Sequence, residues 1–356
     1  MEEVTKLNKL IGFAYFWLVT ALFSVSAAPR PGFEFSHHDW ILACDNTGTC
    51  RAAGYQSEEG DGRPVSVLLV RKAGPHQAVT GELTLGNTET EDGEMPTSLV
   101  LRIDGRSLGR TNFGRAEVAN LPRHQVDGLL SALVRKSQVE WSADDGRRWM
   151  LSGKGAAAVF LKMDEFQERL GTEMALLRKG ARGEESVSLP VPAPVVRAAK
   201  VRSAQEMDRE LAGSEELRES IRATVDQETC AQLFGGYERS QSVQSELSVQ
   251  RLTRDKMLVS TNCWLAAYNG GLGYWVINER PPHSPVLVTT NGTDYDDGVI
   301  SSAQKGRGLG DCWSHEDWTW DGQQFVETSA YGTGLCRMVA LGGAWVMPTL
   351  VTEVLR

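Results

Sequence analysis

Several short motifs in this sequence have the form of reactive centres. Gly105-Arg106-Ser107-Leu108-Gly109 has the spacing of a nucleophile elbow, in which a strained strand-to-helix turn exposes a serine hydroxyl. The residues that follow, Arg110-Thr111-Asn112-Phe113-Gly114, read as a loop, so the helix such an elbow needs starts too late. Ser302-Ala303-Gln304-Lys305 has the Ser-x-x-Lys spacing of penicillin-recognising enzymes but lacks their Ser-Asp-Asn and Lys-Thr-Gly companions. Gly306-Arg307-Gly308-Leu309-Gly310 has the look of a phosphate cradle. Asp311-Cys312-Trp313 follows it, where a cradle would open a helix with its amides facing an anion, so a turn is expected.

Metal chemistry fares no better. Cys312 and His315 have ligand-like spacing and His37-His38 is a doublet, but zinc needs convergent ligands and free thiolates. Asp294, Asp296 and Asp297 before Gly298 lack the full ligand run and terminal Glu of a calcium loop, so an acidic turn is expected. No catalytic residue, metal or cofactor is assigned.

The aromatic residues are more informative. Trp264, Trp275, Trp313, Trp318, Trp320 and Trp345 crowd the second half of the chain with Tyr268, Tyr274 and Tyr331. Flat rings stack on sugars or on partner apolar surfaces at low entropic cost, and they also fill cores. Trp318 and Trp320 alternate with Thr319 and so share a strand face. The candidate ligand-binding residues are Trp264, Tyr268, Trp313, His315, Trp318 and Trp320, the competing reading being a tryptophan-rich core.

The elements that must carry these residues fall on either side of a joint, Ser188-Leu189-Pro190-Val191-Pro192-Ala193-Pro194, where proline enforces an extended spacer. The expected class is α+β. A β-rich N-terminal domain with two helices spans 33–184, a linker 185–197, and a β-rich C-terminal domain with a helical opening 198–356. In the first domain, strands are expected at 40–44, 65–70, 83–85 and 99–103. Val126, Leu129, Leu130, Leu133 and Val134 mark a helical face entered through Pro122. Asp144-Asp145-Gly146 marks a hairpin, and a second helix is expected from Ala156 to Leu170, ended by Gly171. Beyond the joint, 203–223 is helical. Strands are expected at 248–252, 257–261, 273–277 and 286–290, followed by a hairpin about Asp321-Gly322.

Compartment follows from the N-terminus and the cysteines. Lys6 and Lys9 precede an apolar run from Leu10 to Val25 and the small residues Ser26-Ala27, the form of a secretory signal peptide over 1–27, cleaved near Ala27. The alternative is an uncleaved anchor, for which the run is short. No second apolar run exists, so no stable membrane span is expected after cleavage. The six cysteines, Cys44, Cys50, Cys230, Cys263, Cys312 and Cys336, all lie beyond that segment and read as three disulfides. Of the possible pairings, proximity favours each cysteine with its neighbour. A net charge of -9 argues against a nucleic-acid partner, which needs clustered Lys and Arg.

Asp39-Trp40-Ile41-Leu42-Ala43-Cys44-Asp45-Asn46 with Cys50-Arg51-Ala52-Ala53-Gly54-Tyr55 resembles the opening of a secreted bacterial domain-of-unknown-function family, number 1176. The likeness continues through Met163–Arg169, Cys263 with Ala267-Tyr268-Asn269, Gly306–Cys312 and Trp318–Phe325. The first segment is also similar, more distantly, to invasion-associated locus B proteins. The resemblance implies export and a compact β-rich N-terminal module, and brings no reaction with it. The expected function is a periplasmic binding or inhibitor-like module for an envelope glycan or protein. The alternatives are a hydrolase with unidentified catalytic residues and a structural envelope component.

Overall fold

The computed structural model describes residues 31–60, 62–86, 94–114, 117–235 and 246–356. Residues 1–27, where a signal peptide is expected, lie outside the described residues. The protein is α+β and mostly β.

The N-terminal half contains β1 (Phe33–His37), β2 (Trp40–Cys44), β3 (Cys50–Tyr55), β4 (Val65–Arg71), β5 (Thr80–Leu85), β6 (Ser98–Ile103), β7 (Arg106–Asn112), β8 (Val118–Asn120), α1 (Arg123–Leu133), β9 (Val139–Ser142), β10 (Arg148–Leu151) and α2 (Ala156–Phe166). The strands form a six-stranded sheet, β1-β2-β3-β4-β5-β8, and a four-stranded sheet, β10-β9-β6-β7. β2 is buried at every position. Side chains alternate across a strand, so such a run needs cover on both faces. Trp40, Leu42 and Cys44 enter one core with Phe160 and Met163 of α2 and Val126 and Leu129 of α1. Ile41 and Ala43 enter another on the opposite face. Gly54 is required opposite Trp40, because a Cβ there would lie 2.2 Å from the indole.

The second helix stops four residues short of the expected Leu170. Gln167 turns inward, its Nε2 donating to the carbonyls of Gly48 and Arg71, both at 2.9 Å. Arg169 follows it into the interior and pairs with Glu184 at 2.8 Å. These buried polar bonds replace the last helical turn.

The C-terminal half contains β11 (Val195–Arg197), α3 (Glu206–Ala212), α4 (Glu215–Arg222), β12 (Ser248–Arg251), β13 (Lys256–Leu265), β14 (Gly270–Asn278), β15 (Val286–Gly292), β16 (Asp294–Asp296), β17 (Val299–Lys305), β18 (Trp313–Trp320), β19 (Phe325–Gly332), β20 (Met347–Val351) and β21 (Glu353–Leu355). The helical opening is two helices, not one. Gly213 ends α3, and the Ser214 hydroxyl caps α4 by accepting from the amide of Leu217. Two sheets follow, β12-β13-β14-β15 and β16-β17-β18-β19-β20. Between them lie Leu258, Tyr274 and Val276 from the first, and Ile300 and Trp320 from the second. The far face of the first sheet carries Met257, Val259, Trp275 and Ile277, covered by Leu217 and Ile221 of α4. The disulfides are Cys44–Cys50, Cys230–Cys263 and Cys312–Cys336. The second of these ties the helical layer to β13.

The two halves are joined by more than the proline segment. Residues 333–346, between β19 and β20, and Met347 at the start of β20 lie on the free face of the six-stranded sheet, where Val339, Trp345 and Met347 pack with Ile41, Ala43, Ala53, Tyr55 and Leu68. The spacer is itself tied down: the Val191 amide donates to Thr47 and the Gly74 amide to Ser188. β11 then runs parallel to β21.

Candidate functional site

The five-stranded sheet of the C-terminal half carries most of the candidate residues, and its two faces differ. Register places Lys305 opposite Trp313, Ala303 opposite His315, and His315 opposite Tyr331 on one face. There the His315 ring stacks on Tyr331 at 4.6 Å and on Trp313 at 6.0 Å, nearly parallel in both pairs. The Lys305 ammonium lies 5.3 Å over the Trp313 ring. Parallel rings in a row cover one another's faces, so this ladder presents edges rather than a flat stacking platform. Burial pulls the His315 imidazole below its ordinary value, against the opposing pull of Asp317.

Ser301, Asp317 and His315 share this face, but they are not wired as a triad. The Ser301 hydroxyl donates directly to Asp317 Oδ1 at 2.7 Å, whereas a triad places the histidine between serine and carboxylate.

The other face holds a groove of 430 Å³ where the two C-terminal sheets splay apart. Trp318 and Phe325 line it from β18 and β19, and Val276, Val286 and Val288 from β14 and β15; Lys256, Gln323, Gln324 and Glu327 stand among them. The groove continues the apolar layer between the sheets to the surface, which explains its floor. Its polar rim comes from the hairpin turn. Asp321 Oδ1 accepts from the amides of Gln323 and Gln324 at 2.7 and 2.8 Å, fixing the turn that carries both exposed amide side chains. Lys256 Nζ donates to Asn278 Oδ1 at 2.8 Å. Partial burial, and then the Glu316 carboxylate, push the Glu327 carboxyl above the usual range. Larger depressions lie beside α3, along α1 and at the end of α4; the first two have no aromatic residue in their lining, and the third is an open surface beside Phe234.

The six candidates therefore separate. Trp318 lines the groove, while Trp313 and His315 belong to the ladder. Tyr268 is 46% exposed on the turn between β13 and β14, beside Gly308. Trp264 is half-buried, and its indole N–H donates to the Thr290 carbonyl at 2.9 Å. Trp320 is 0% exposed. It shares the inward face with Trp318 as alternation requires, but deeper, where it is core and out of reach of any ligand. Phe325, Lys256 and Glu327 escaped sequence reading because they come from separate strands whose approach depends on sheet packing.

The remaining motifs resolve as turns and strands. Ser107 lies within β7, just past the Asp104-Gly105 hairpin turn, so strand rather than helix follows it directly. Asp297 and Gly298, with φ of 39° and 83°, form the tight turn between β16 and β17. Within the glycine-rich loop, Arg307 forms a two-pronged ion pair with Asp311, which also accepts from the Met338 amide at 2.7 Å. Cys312 is consumed in its disulfide, so the cluster of Asp311, Cys312 and Cys336 offers no thiolate. Among the described residues, no helix is long and apolar enough to cross a membrane.

"Uncharacterized protein YpfG" of Escherichia coli (strain K12) is 26% identical over 336 residues, covering 88% of this chain and 90% of that protein. No solved structure matches the chain. Residues 34–352 match the family described as "Protein of unknown function (DUF1176)", and the chain belongs to that family.

Proposed function

We propose that this protein is an exported binding module of the bacterial envelope, acting through the groove between its two C-terminal sheets on a glycan or protein ligand. The observation that carries this reading is the groove itself, an aromatic and aliphatic floor with amides and two opposite charges around it. Binding sites are concave and mostly apolar, with a few placed polar groups. Export to the periplasm, with cleavage near Ala27, is part of the proposal. It is supported by the pairing of every cysteine and by the signal-like N-terminus. The likeness of the Asp39–Cys44 segment to invasion-associated locus B proteins fits the same setting. The organisation into an N-terminal unit over 33–184, a linker and a C-terminal unit from 198 also belongs to this reading.

The test is tryptophan fluorescence of the mature protein titrated with peptidoglycan fragments and an envelope extract. A saturable shift is expected, lost in Trp318→Ala with the melting temperature unchanged. No shift with either titrant counts against the reading.

A hydrolase is the second reading, favoured by one arrangement: the raised Glu327 carboxyl stands at the groove with the Glu316 carboxylate near enough to raise it further. Two carboxyl groups close enough to influence one another are the pairing glycoside hydrolysis uses. Release of reducing ends from peptidoglycan, abolished in Glu327→Gln with binding retained, would establish it.

A further inference from the structure

The groove has a property that a sugar site does not require: one wall is an open sheet edge. Among the described residues β15 is the last strand of its sheet and pairs only with β14. Its far end is held by the neighbouring sheet, since the Asn291 carbonyl accepts from Ser302 Oγ and Gln304 Nε2. The near end, Val286-Leu287-Val288, lines the groove. Among the described residues no other strand pairs there, Val286 is 64% and Leu287 38% exposed, and none of the three residues is charged. Proteins ordinarily blunt such edges with charges or prolines, or cover them. Here an apolar edge faces Trp318 and Phe325 across a gap with room for a large side chain.

We infer that the ligand of this groove is an extended peptide segment that adds as a strand to β15 and inserts an apolar side chain between β15 and Trp318. This rests on the groove being the binding site and names its ligand class. Strand addition takes affinity from main-chain hydrogen bonds and specificity from alternate side chains. The outward backbone groups of β15 supply the first and the aromatic floor the second. Lys256 and Glu327 balance each other in charge, which fits a neutral segment rather than a polyanion.

The experiment uses the mature chain and a fluorescein-labelled, capped hexapeptide of alternating threonine and valine with one central phenylalanine, read by anisotropy. Saturable binding is expected, weakened about tenfold or more when alternate peptide amides are N-methylated, because side chains stay while strand donors are lost. Val286→Lys, at an exposed edge position, should weaken binding similarly with an unchanged melting temperature. Equal binding of the methylated peptide, or unchanged binding to Val286→Lys, overturns the inference. So does a concentration-dependent dimer in sedimentation that Val286→Lys abolishes, since a second copy would then cover the edge. Chitotetraose binding that is lost in Trp318→Ala but kept in Val286→Lys would overturn strand addition and leave the groove standing. If Trp318→Ala alters binding of neither probe, the groove reading fails with it.

Discussion

The indole Nε1 of Trp345 donates a 2.7 Å hydrogen bond to the hydroxyl of Ser66, a buried contact between residues 279 positions apart. Nearby, the Tyr55 hydroxyl accepts from the Leu335 amide at 3.2 Å, and Gln56 Nε2 donates to the Arg337 carbonyl at 2.7 Å. The segment between β19 and β20 is thus part of the N-terminal core. Trp345→Ala should cost about 3–5 kcal/mol, as for other buried tryptophans. Ser66→Ala should cost about 1–3 kcal/mol by leaving the indole donor unmet. Urea unfolding of the two variants checks the order.

Cutting the proline segment should not separate the halves. A protease site introduced between Pro192 and Pro194 would sever the chain while leaving the 333–347 packing and the Asn46–Val351 pair of hydrogen bonds intact. The nicked protein is expected to elute as one species without denaturant. Two separate peaks would show that the spacer carries the association.

Trp318 and Trp320, two residues apart, should behave oppositely. Trp320→Ala empties a fully buried position and should cost about 3–5 kcal/mol. Trp318→Ala, at a partly exposed position, should cost about 1 kcal/mol or less and abolish ligand binding instead. Thermal melts beside binding titrations separate the effects.

Arg169 and Glu184 form a buried ion pair, with side chains 0% and 3% exposed. Burial would raise the Glu184 carboxyl, but the amides of Met174 and His76 and the Arg169 guanidinium beside it hold it below the ordinary carboxylate range. Removing one partner strands the other charge, so Arg169→Met should cost about 3–5 kcal/mol, and the double variant Arg169→Met/Glu184→Leu should recover much of it. Chemical denaturation across the mutant cycle measures the coupling.

The ladder predicts a pH response. His315 is held below its ordinary value of 6.5, chiefly by burial. The unfolded chain therefore takes up its proton first as pH falls. This histidine's contribution to stability is whole above 6.5, and is lost as pH drops from there through the lower folded value. The melting temperature of the native protein should fall more steeply over that range than that of His315→Phe. A histidine NMR titration with a midpoint at or above 6.5 would refute the assignment.

Much of the fold was legible because its signals are local. The β-branched run at 65–70, the Asp-Gly turns and the helical face behind Pro122 each depend on residues within a few positions of one another. The end of α2 was not legible, since Gln167 and Arg169 leave the helix for partners on the 71–77 segment and at Glu184. The Trp318–Trp320 alternation was read correctly as one face, yet alternation cannot tell the mouth of a groove from its buried end.

By itself the sequence determined the class of the fold, the strands flanking its turns, the cysteines available for pairing and an aromatic-rich second half. Those follow from backbone propensity, side-chain period and composition, which act over short distances. Only the tertiary structure decided which tryptophan meets solvent, that β15 keeps an open edge beside Trp318, and that residues 333–347 complete the N-terminal core. Each of these depends on how separate sheets splay, twist and cover one another, and no local pattern encodes that packing.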